Sequence, residues 1–380
     1  MRARLVHSDE LTRYDFGEAH PMGPGRVRMA IELARQLGVL ELLDVVPAPP
    51  LDEDLVRLVH TEAYIQAVKS EEPQLHFGIG TQDNPVVPGM HELAGRICAA
   101  TTEAARAVWA GETNRAANMA GGLHHAMPEL TSGFCVYNDC AVAIKWLQQQ
   151  GAERIVYLDI DAHHGDGVQA IFYDDPSVLT ISLHESPVHL FPGTGFASEV
   201  GGRHAPGSAV NVALPPGLDD AGWLRAFDAI VPPVLEEFRP QILISQHGCD
   251  AHADDPLTDL DMSIDGQRHS YQMVAELAEK YCEDRWVATG GGGYALETVV
   301  PRAWAHLLAV LAGQPIPLDT PTPAAWRELM GPNAPAAMGD GVDVEFEPVT
   351  WGYNPSSRLD QAIIATRRSA FPEFGLDPEF

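Results

Sequence analysis

Residues 154–167 (RIVYLDIDAHHGDG) constrain the fold more than any other stretch of this chain. The stretch opens with a run of apolar, strand-favouring residues, Ile155 to Leu158, and then changes abruptly to carboxylates and imidazoles. A short continuous apolar run bounded by polar residues is typical of a buried strand in a parallel sheet. Open α/β sheets bind their ligands at the carboxyl ends of such strands. The stretch therefore predicts a parallel sheet with chemically active groups where this strand ends.

The polar part of the stretch indicates a metal. In an extended segment alternate residues share a face, so Asp159, Asp161 and His163 can point the same way. Bringing three such groups into one buried place is costly unless something positive pairs with them, and a divalent cation is the simplest partner. The alternative is a helix cap with ordinary salt bridges. That alternative does not explain five ionisable groups within the eight residues 159–166.

The order of predicted elements indicates one α/β domain. Strand, loop and helix repeat along the chain, which predicts a single parallel sheet with helices on both faces. Residues 314–345 are rich in proline and acidic residues, and we expect residues 1–313 to form the main domain and 314–380 a linker and tail packed on it. The predicted strands cover 3–7, 116–120, 155–158, 178–183, 209–213, 241–246 and 285–289. The first predicted helix begins at Arg26, and the others cover 51–69, 91–110, 165–174, 219–238, 264–282 and 295–312.

Composition limits the partners and the compartment. The formal net charge is −29, from 24 Lys and Arg against 53 Asp and Glu, so the surface would repel phosphate backbones and nucleic-acid binding is not expected. The five cysteines are scattered without a CxxC pair, which favours a reducing cytoplasm over a disulfide framework. The start of the chain does not resemble a signal peptide, and no apolar run reaches the roughly 18 residues of a membrane span. The sequence leaves the oligomeric state open.

Polar groups at other strand ends complete a candidate metal site. Asp255 follows the strand at 241–246, and with Asp161 and His163 it makes a set of two carboxylates and one imidazole. Three protein ligands that leave a position open mark a catalytic metal rather than a structural one. Oxygen and nitrogen ligands suit Zn²⁺, and they also allow Fe²⁺.

The remaining groups suit hydrolysis. His124 and His125 follow a strand-ending glycine pair and could carry a proton between water and a leaving group. Asp159 and Asp166 are available to orient these imidazoles. Tyr294, which follows four glycines, could donate a hydrogen bond to a developing oxyanion. Together these roles describe metal-assisted hydrolysis of an amide or an ester, with no serine or cysteine nucleophile.

Six motifs between His20 and about Gly313 resemble the zinc-dependent histone deacetylase family: GGLHHA, SGFCVYND, YLDIDAHHGDG, FPGTG, ADDP and GGGGY, in that order. The C-terminal segment WGYNP…AIIATRRSAFPEFGLDP is similar to the bacterial acetoin-utilisation (AcuC-type) branch. The resemblance implies an arginase/deacetylase-like fold. It also implies a cytoplasmic bacterial enzyme that removes acetyl groups from the Nε amine of acetyl-lysine in proteins, such as acyl-CoA synthetases, and releases acetate.

The resemblance also assigns roles to individual residues. Asp161, His163 and Asp255 match the metal ligands. His124 and His125 match the tandem histidines, of which the second is the general base and acid, while Asp159 and Asp166 match their carboxylate partners and Tyr294 the oxyanion tyrosine. Residues matched to substrate binding are Asp83 at the rim, Gly133, Phe134 and Phe191 along the acyl-lysine tunnel, and Arg26 behind the metal. Residues matched to an inner potassium site are Asp159, Asp161, His163, Ser182 and Leu183.

Three other interpretations bear on this assignment. A dimanganese ureohydrolase of similar fold needs an aspartate where this chain has Gly165. A catalytically silent acyl-lysine binder would have lost a ligand or the tyrosine, and both are retained. An acetylpolyamine amidohydrolase stays open because Asp83, Asp254 and Asp259 could attract a small cation, although the C-terminal segment argues against it. Asp254 also stands where the family usually has glycine, and an extra carboxylate beside the predicted ligand Asp255 could shift metal preference or substrate choice.

Overall fold

A single parallel sheet forms the centre of the protein. The structure, a computed structural model, describes residues 1–17 and 20–379, and within these residues eight strands pair in parallel. The strands run in the spatial order β2-β1-β3-β8-β7-β4-β5-β6. The predicted fold class is therefore confirmed. The strands are β1 (Arg4–Val6), β2 (Asp44–Val46), β3 (Arg115–Asn118), β4 (Ile155–Asp159), β5 (Val178–Glu185), β6 (Ala209–Leu214), β7 (Ile242–Gln246) and β8 (Trp286–Thr289).

Helices cover both faces of this sheet. All five residues of β4 are buried, because alternate side chains enter two different apolar clusters. Val156 and Leu158 pack with residues of α1, α7, α8 and α9, whereas Ile155 and Tyr157 pack with residues of α3 to α6. This two-sided burial explains the continuous apolar run. The helices are α1 (Gly25–Gln36), α2 (Glu53–Val56), α3 (Glu62–Lys69), α4 (Met90–Trp109), α5 (Asp139–Gln149), α6 (Asp166–Phe172), α7 (Asp220–Phe238), α8 (Ile264–Tyr281), α9 (Val300–Leu311), α10 (Ala324–Met330) and α11 (Arg358–Ala370).

Local boundaries correct several predictions. The prediction of one helix over 51–69 is wrong, since α2 ends at Val56 and the side chain of Thr61 caps a separate α3 by accepting the N–H of Tyr64. The predicted helix at 295–312 begins only at α9, where Pro301 lies in the first turn. Elements β2, α5 and α10 were not predicted. None of the helices within the described residues is long and apolar enough to cross a membrane.

The C-terminal segment packs against the sheet edge. Helix α11 contacts β6 and α7. The hydroxyl of Thr366 donates to the carbonyl of Asn211 in β6 at 2.6 Å. The Arg225 side chain of α7 makes two hydrogen bonds to the carboxylate of Asp360 in α11, at 2.9 and 3.0 Å. A boundary between the main domain and the tail at residue 313 stays a prediction.

Candidate active site

Four loops meet at the carboxyl edge of the sheet. They follow β3, β8, β7 and β4, which are consecutive neighbours, so the groups at their ends come together. Asn118 pairs in register with Thr289, and Asp159 with Gln246. All strands run in one direction, and the predicted convergence of polar groups follows from that geometry.

The tandem histidines are oriented by two carboxylates. His124 Nδ1 lies 2.8 Å from Asp159 Oδ2, and His125 Nδ1 lies 2.6 Å from Asp166 Oδ1. Each imidazole therefore donates its Nδ1–H to a carboxylate and turns its Nε2 atom inward, where the two Nε2 atoms are 3.0 Å apart. Asp159 also accepts a hydrogen bond from the hydroxyl of Tyr157 at 2.8 Å. The structure thus brings the members of each predicted histidine–aspartate pair together.

The two imidazoles differ in basicity. Burial alone would lower the pKa of His124, but the charges of Asp159 and Asp161 outweigh it and raise this pKa to about 9. Burial and the positive charge of His124 lower the pKa of His125 to about 4, against the opposing effect of Asp166. At neutral pH these shifts favour a protonated His124 and a neutral His125, whose Nε2 lone pair is available to accept a proton.

Two residues that sequence reasoning missed hold the backbone around these histidines. Asp139 accepts the backbone N–H groups of Gly122 at 3.1 Å and Leu123 at 2.8 Å. Asn138 donates from Nδ2 to the carbonyls of His124 at 3.2 Å and Ala126 at 3.0 Å. Asn138 also caps α5, so the helix fixes both side chains. The Asn-Asp pair at the end of SGFCVYND was the available signal, because this pair is typical of a helix start.

A compact group of metal-ligand side chains lies beside the histidines. Asp161, His163 and Asp250 are buried, and each offers a ligand atom within 4.8 Å of the others. His163 Nδ1 is 3.1 Å from Asp161 Oδ1 and 2.9 Å from Asp250 Oδ2. The other oxygen of Asp161 accepts from Gln246 Nε2 at 2.7 Å and from the N–H of Gly292 at 2.8 Å. These contacts hold Asp161 in place.

The charges of this group fit a divalent cation. Burial and the negative charge of Asp161 raise the pKa of Asp250 to about 7. The charge of Asp161 thus opposes the ionisation of Asp250 in a buried place, and a cation between the two carboxylates would remove that penalty. Two carboxylate oxygens and one imidazole are also a donor set that zinc accepts.

The predicted ligand Asp255 lies outside this group of three. One of its carboxylate oxygens accepts the N–H of Tyr294 at 2.7 Å, and the other accepts the N–H of Leu257 at 3.1 Å. The structure thus joins Asp161 and His163 to Asp250, which sequence reasoning did not propose as a ligand. Asp250 is the first carboxylate after β7, and that position was the signal. Asp255 as a metal ligand stays a prediction.

A narrow cavity leads to these groups. Its volume is about 240 Å³. The rings of Phe134 and Tyr294 lie 5.8 Å apart, and those of His125 and Phe191 lie 5.0 Å apart. A side chain at Gly133 would place its Cβ 2.3 Å from the His125 ring, so only glycine fits there. Four of the predicted substrate residues share the cavity, which is lined by Asp83, His125, Gly133, Phe134, His163, Leu190, Phe191, Leu257 and Tyr294.

The remaining predicted residues lie around the site. Arg26 is buried, donates from Nε to the carbonyl of Gly293 at 2.6 Å, and its guanidinium lies 5.2 Å from the ring centre of Tyr294. It thus supports the loop that carries Tyr294. Ser182 pairs in register with Asp159 across β5 and β4, and Leu183 is buried in the next position. Potassium binding by these strands stays a prediction.

Known proteins resemble this chain over most of its length. The profile of the histone deacetylase domain matches residues 20–311. The acetoin utilization protein AcuC of Bacillus subtilis (strain 168) is 38% identical over 355 residues, which covers 91% of each chain. AcuC of Staphylococcus xylosus is 34% identical over 340 residues and covers 88% of each chain.

Two solved structures have a similar fold. The crystal structure of an HDAC homolog from Aquifex aeolicus superposes with a TM-score of 0.81 at 28% identity, over 96% of this chain and 100% of that one. An HDAC homolog in complex with SAHA superposes with a TM-score of 0.78 at 31% identity, over 87% and 88% of the two chains.

Proposed function

This chain belongs to the histone deacetylase family, and from that premise we propose that it is a zinc-dependent lysine deacetylase. Its substrate is Nε-acetyl-lysine in a protein, and its products are acetate and the free lysine amine. The main support is the arrangement of two carboxylate-anchored histidines beside an Asp-His-Asp group, at one narrow cavity.

Asp161 and His163 would hold the metal ion. The remaining carboxylate would come from Asp250, the third member of the buried group, or from Asp255, the ligand implied by the family resemblance. Zn²⁺ at such a site acts as a Lewis acid that acidifies water and polarises a carbonyl group. Fe²⁺ would suit the same donors, and K⁺ at Asp159, Asp161, His163, Ser182 and Leu183 is proposed from the family resemblance alone.

The protein's own groups would move the proton. His125 Nε2 faces the cavity side of the pair and would take a proton from the attacking water as its oxygen bonds to the acetyl carbon. The same nitrogen would return the proton to the lysine nitrogen as the C–N bond breaks. Asp166 keeps the Nδ1–H tautomer that this exchange requires. Tyr294 lines the cavity and would donate its hydroxyl hydrogen to the developing oxyanion.

The cavity walls suit an acetylated lysine side chain. Phe134, Phe191 and Leu190 present apolar surface that fits four methylene groups and a neutral amide. Asp83 lies at the same cavity and would accept hydrogen bonds from the substrate backbone. We propose metabolic enzymes such as acyl-CoA synthetases as targets in the cytoplasm, since the relatives above are acetoin utilization proteins.

An acetylpolyamine amidohydrolase is the second candidate. It would use the same metal and histidines with a small cationic substrate. Asp83 lines the cavity, and the exposed Asp254 lies on the loop that also carries Leu257 of the cavity wall. These carboxylates would attract the charged end of a polyamine.

Acetate release distinguishes these functions. Metal-stripped protein would be assayed with an acetyl-lysine peptide and with an acetylated polyamine, before and after addition of Zn²⁺ or Fe²⁺. We expect peptide activity that disappears on stripping and returns with metal. Release from the polyamine alone would establish the second function instead. No acetate release from either substrate with either metal would contradict the proposed deacetylation.

A further inference from the structure

The loop that carries Asp250 and Asp255 has little regular structure of its own. It follows β7 and leads to α8, and within the described residues its ladder-like contacts are two isolated parallel bridges, His252 with Met262 and Asp261 with Asp219. Asp250 belongs to the candidate metal group, and the N–H of Asp255 donates to the carbonyl of His252 at 2.9 Å. The position of His252 therefore affects Asp255 directly, and Asp250 lies two residues before His252 in the same loop.

His252 is held by an aspartate from the C-terminal segment. Its Nε2 atom lies 3.0 Å from Asp340 Oδ2. The Nδ1 atom accepts the N–H of Asp254 at 3.0 Å, so a neutral imidazole carries its proton on Nε2 and donates it to Asp340. The ring thus joins the backbone beside the ligand loop to a carboxylate 88 residues further along the chain.

Asp340 ties three parts of the protein together. Besides His252, its carboxylate accepts the N–H of Ile264 at the start of α8, at 2.8 Å, and a hydrogen bond from the buried Arg302 of α9, at 2.7 Å. Burial would raise the pKa of Asp340, but the His252 hydrogen bond and the Arg302 charge outweigh burial and lower it below its ordinary value. The Asp340 side chain is therefore a carboxylate whose hydrogen-bond partners named here are all donors.

Burial and backbone hydrogen bonds fix the segment that leads to Asp340. Met338 is fully buried, and its N–H donates to the carbonyl of Thr320 at 2.9 Å. Its own carbonyl lies 3.1 Å from His306 Nε2. The N–H of Asp340 donates to the carboxylate of Asp265 at 2.6 Å. Asp340 is thus anchored independently of the loop that it contacts.

We propose that Asp340 is a positioning residue for the metal site and acts through His252. The proposal rests on the metal group of the proposed function. It adds that metal affinity depends on a segment beyond residues 20–311, the region that matches the deacetylase domain. A residue that orients metal ligands from outside the ligand set commonly changes metal affinity by about 10- to 100-fold when it is removed.

The contacts separate this role from a general contribution to stability. Asp340→Ala removes the carboxylate from His252, Ile264 and Arg302 together. His252→Phe keeps a ring in the same place and leaves Asp340 with Ile264 and Arg302, but it also removes the Nδ1 acceptor of the Asp254 N–H. Asp343→Ala is the matched control. Asp343 is an exposed carboxylate three residues further along the same segment, and its substitution removes the same charge.

The experiment measures Zn²⁺ affinity of the full chain by competition with a chromogenic chelator, without substrate. Thermal unfolding of the metal-free variants reports general stability alongside. We expect Asp340→Ala and His252→Phe each to weaken zinc binding at least tenfold, and Asp343→Ala to change it less than twofold. The double variant Asp340→Ala/His252→Phe should bind zinc no more than about threefold more weakly than the single variant with the lower affinity. The reason is that both substitutions remove the same contact between His252 and Asp340.

Zinc affinity within twofold of wild type in folded Asp340→Ala would overturn the proposal, and so would losses that multiply in the double variant. If Asp340→Ala does not fold, His252→Phe decides, and unchanged affinity there would equally overturn it. Wild-type protein that binds zinc but releases no acetate would contradict the proposed function and leave this inference intact.

Discussion

Replacing Asp166 by asparagine tests the role of the negative charge beside His125, the proposed general base. Asp166 Oδ1 accepts from both His125 Nδ1 at 2.6 Å and the N–H of Gly167 at 3.0 Å. An asparagine oxygen in that place can accept the same two hydrogen bonds. The substitution therefore keeps the imidazole orientation and its tautomer and removes the negative charge.

The size of the effect follows from the geometry. A contact of 2.6 Å between Nδ1 and Oδ1 places the charge of a protonated His125 about 4 Å from that of the carboxylate. At an effective dielectric constant of about 20, two unit charges at this separation interact by about 4 kcal/mol. This attraction develops only when His125 takes its proton, so its loss falls on the barrier. Because about 1.4 kcal/mol corresponds to a factor of ten, we expect kcat to fall about 10²- to 10³-fold.

The assay is acetate release from an acetyl-lysine peptide, with kcat and KM determined separately and zinc content measured for each protein. KM should change less than threefold, since Asp166 is not among the residues that line the cavity. Asp174→Asn is the matched control: Asp174 also contacts a histidine Nδ1, that of His204 at 2.5 Å, but on the exposed surface. A zinc-loaded Asp166→Asn enzyme with kcat within threefold of wild type would refute the role of this charge.

Three further outcomes are expected. Tyr294→Phe should lower kcat about 10²- to 10³-fold with little change in KM, because one oxyanion donor is lost, and an unchanged kcat in the acetate assay would exclude that role. Asp360→Ala should lower the free energy of unfolding in urea by about 3 kcal/mol, since it leaves the largely buried Arg225 without its carboxylate; a loss under about 1 kcal/mol would contradict this. Acidification should also destabilise the fold, because burial lowers the pKa of His60 and of His306 to about 4. The unfolded chain protonates these residues near pH 6.5 and the folded chain only near pH 4, so the free energy of unfolding should fall across that interval by up to roughly 3 kcal/mol for each histidine. Urea unfolding at pH 7 and pH 4.5 measures this, and equal values would contradict it.

Much of the fold and of the candidate site could be predicted from short-range patterns. The continuous apolar run before Asp159 required burial on both faces, and such a strand lies in a parallel sheet with helices on each side. The histidine–aspartate pairs were also predictable, because their members lie in the polar segments that follow two predicted strands. Elements without such a pattern were missed: β2 has three residues, and α10 lies in a proline-rich segment that predicted no helix.

Short-range patterns in the chain were thus enough to specify the class of sheet, the edge where the polar groups gather and the residues that could do the chemistry. The tertiary structure decided which of those residues meet. His163 contacts Asp250 across 87 positions of the chain, and His252 contacts Asp340 across 88. Such contacts depend on how loops of irregular backbone pack after the strands are in place. Local hydrophobic periodicity specifies strands and helices and carries no information about that packing.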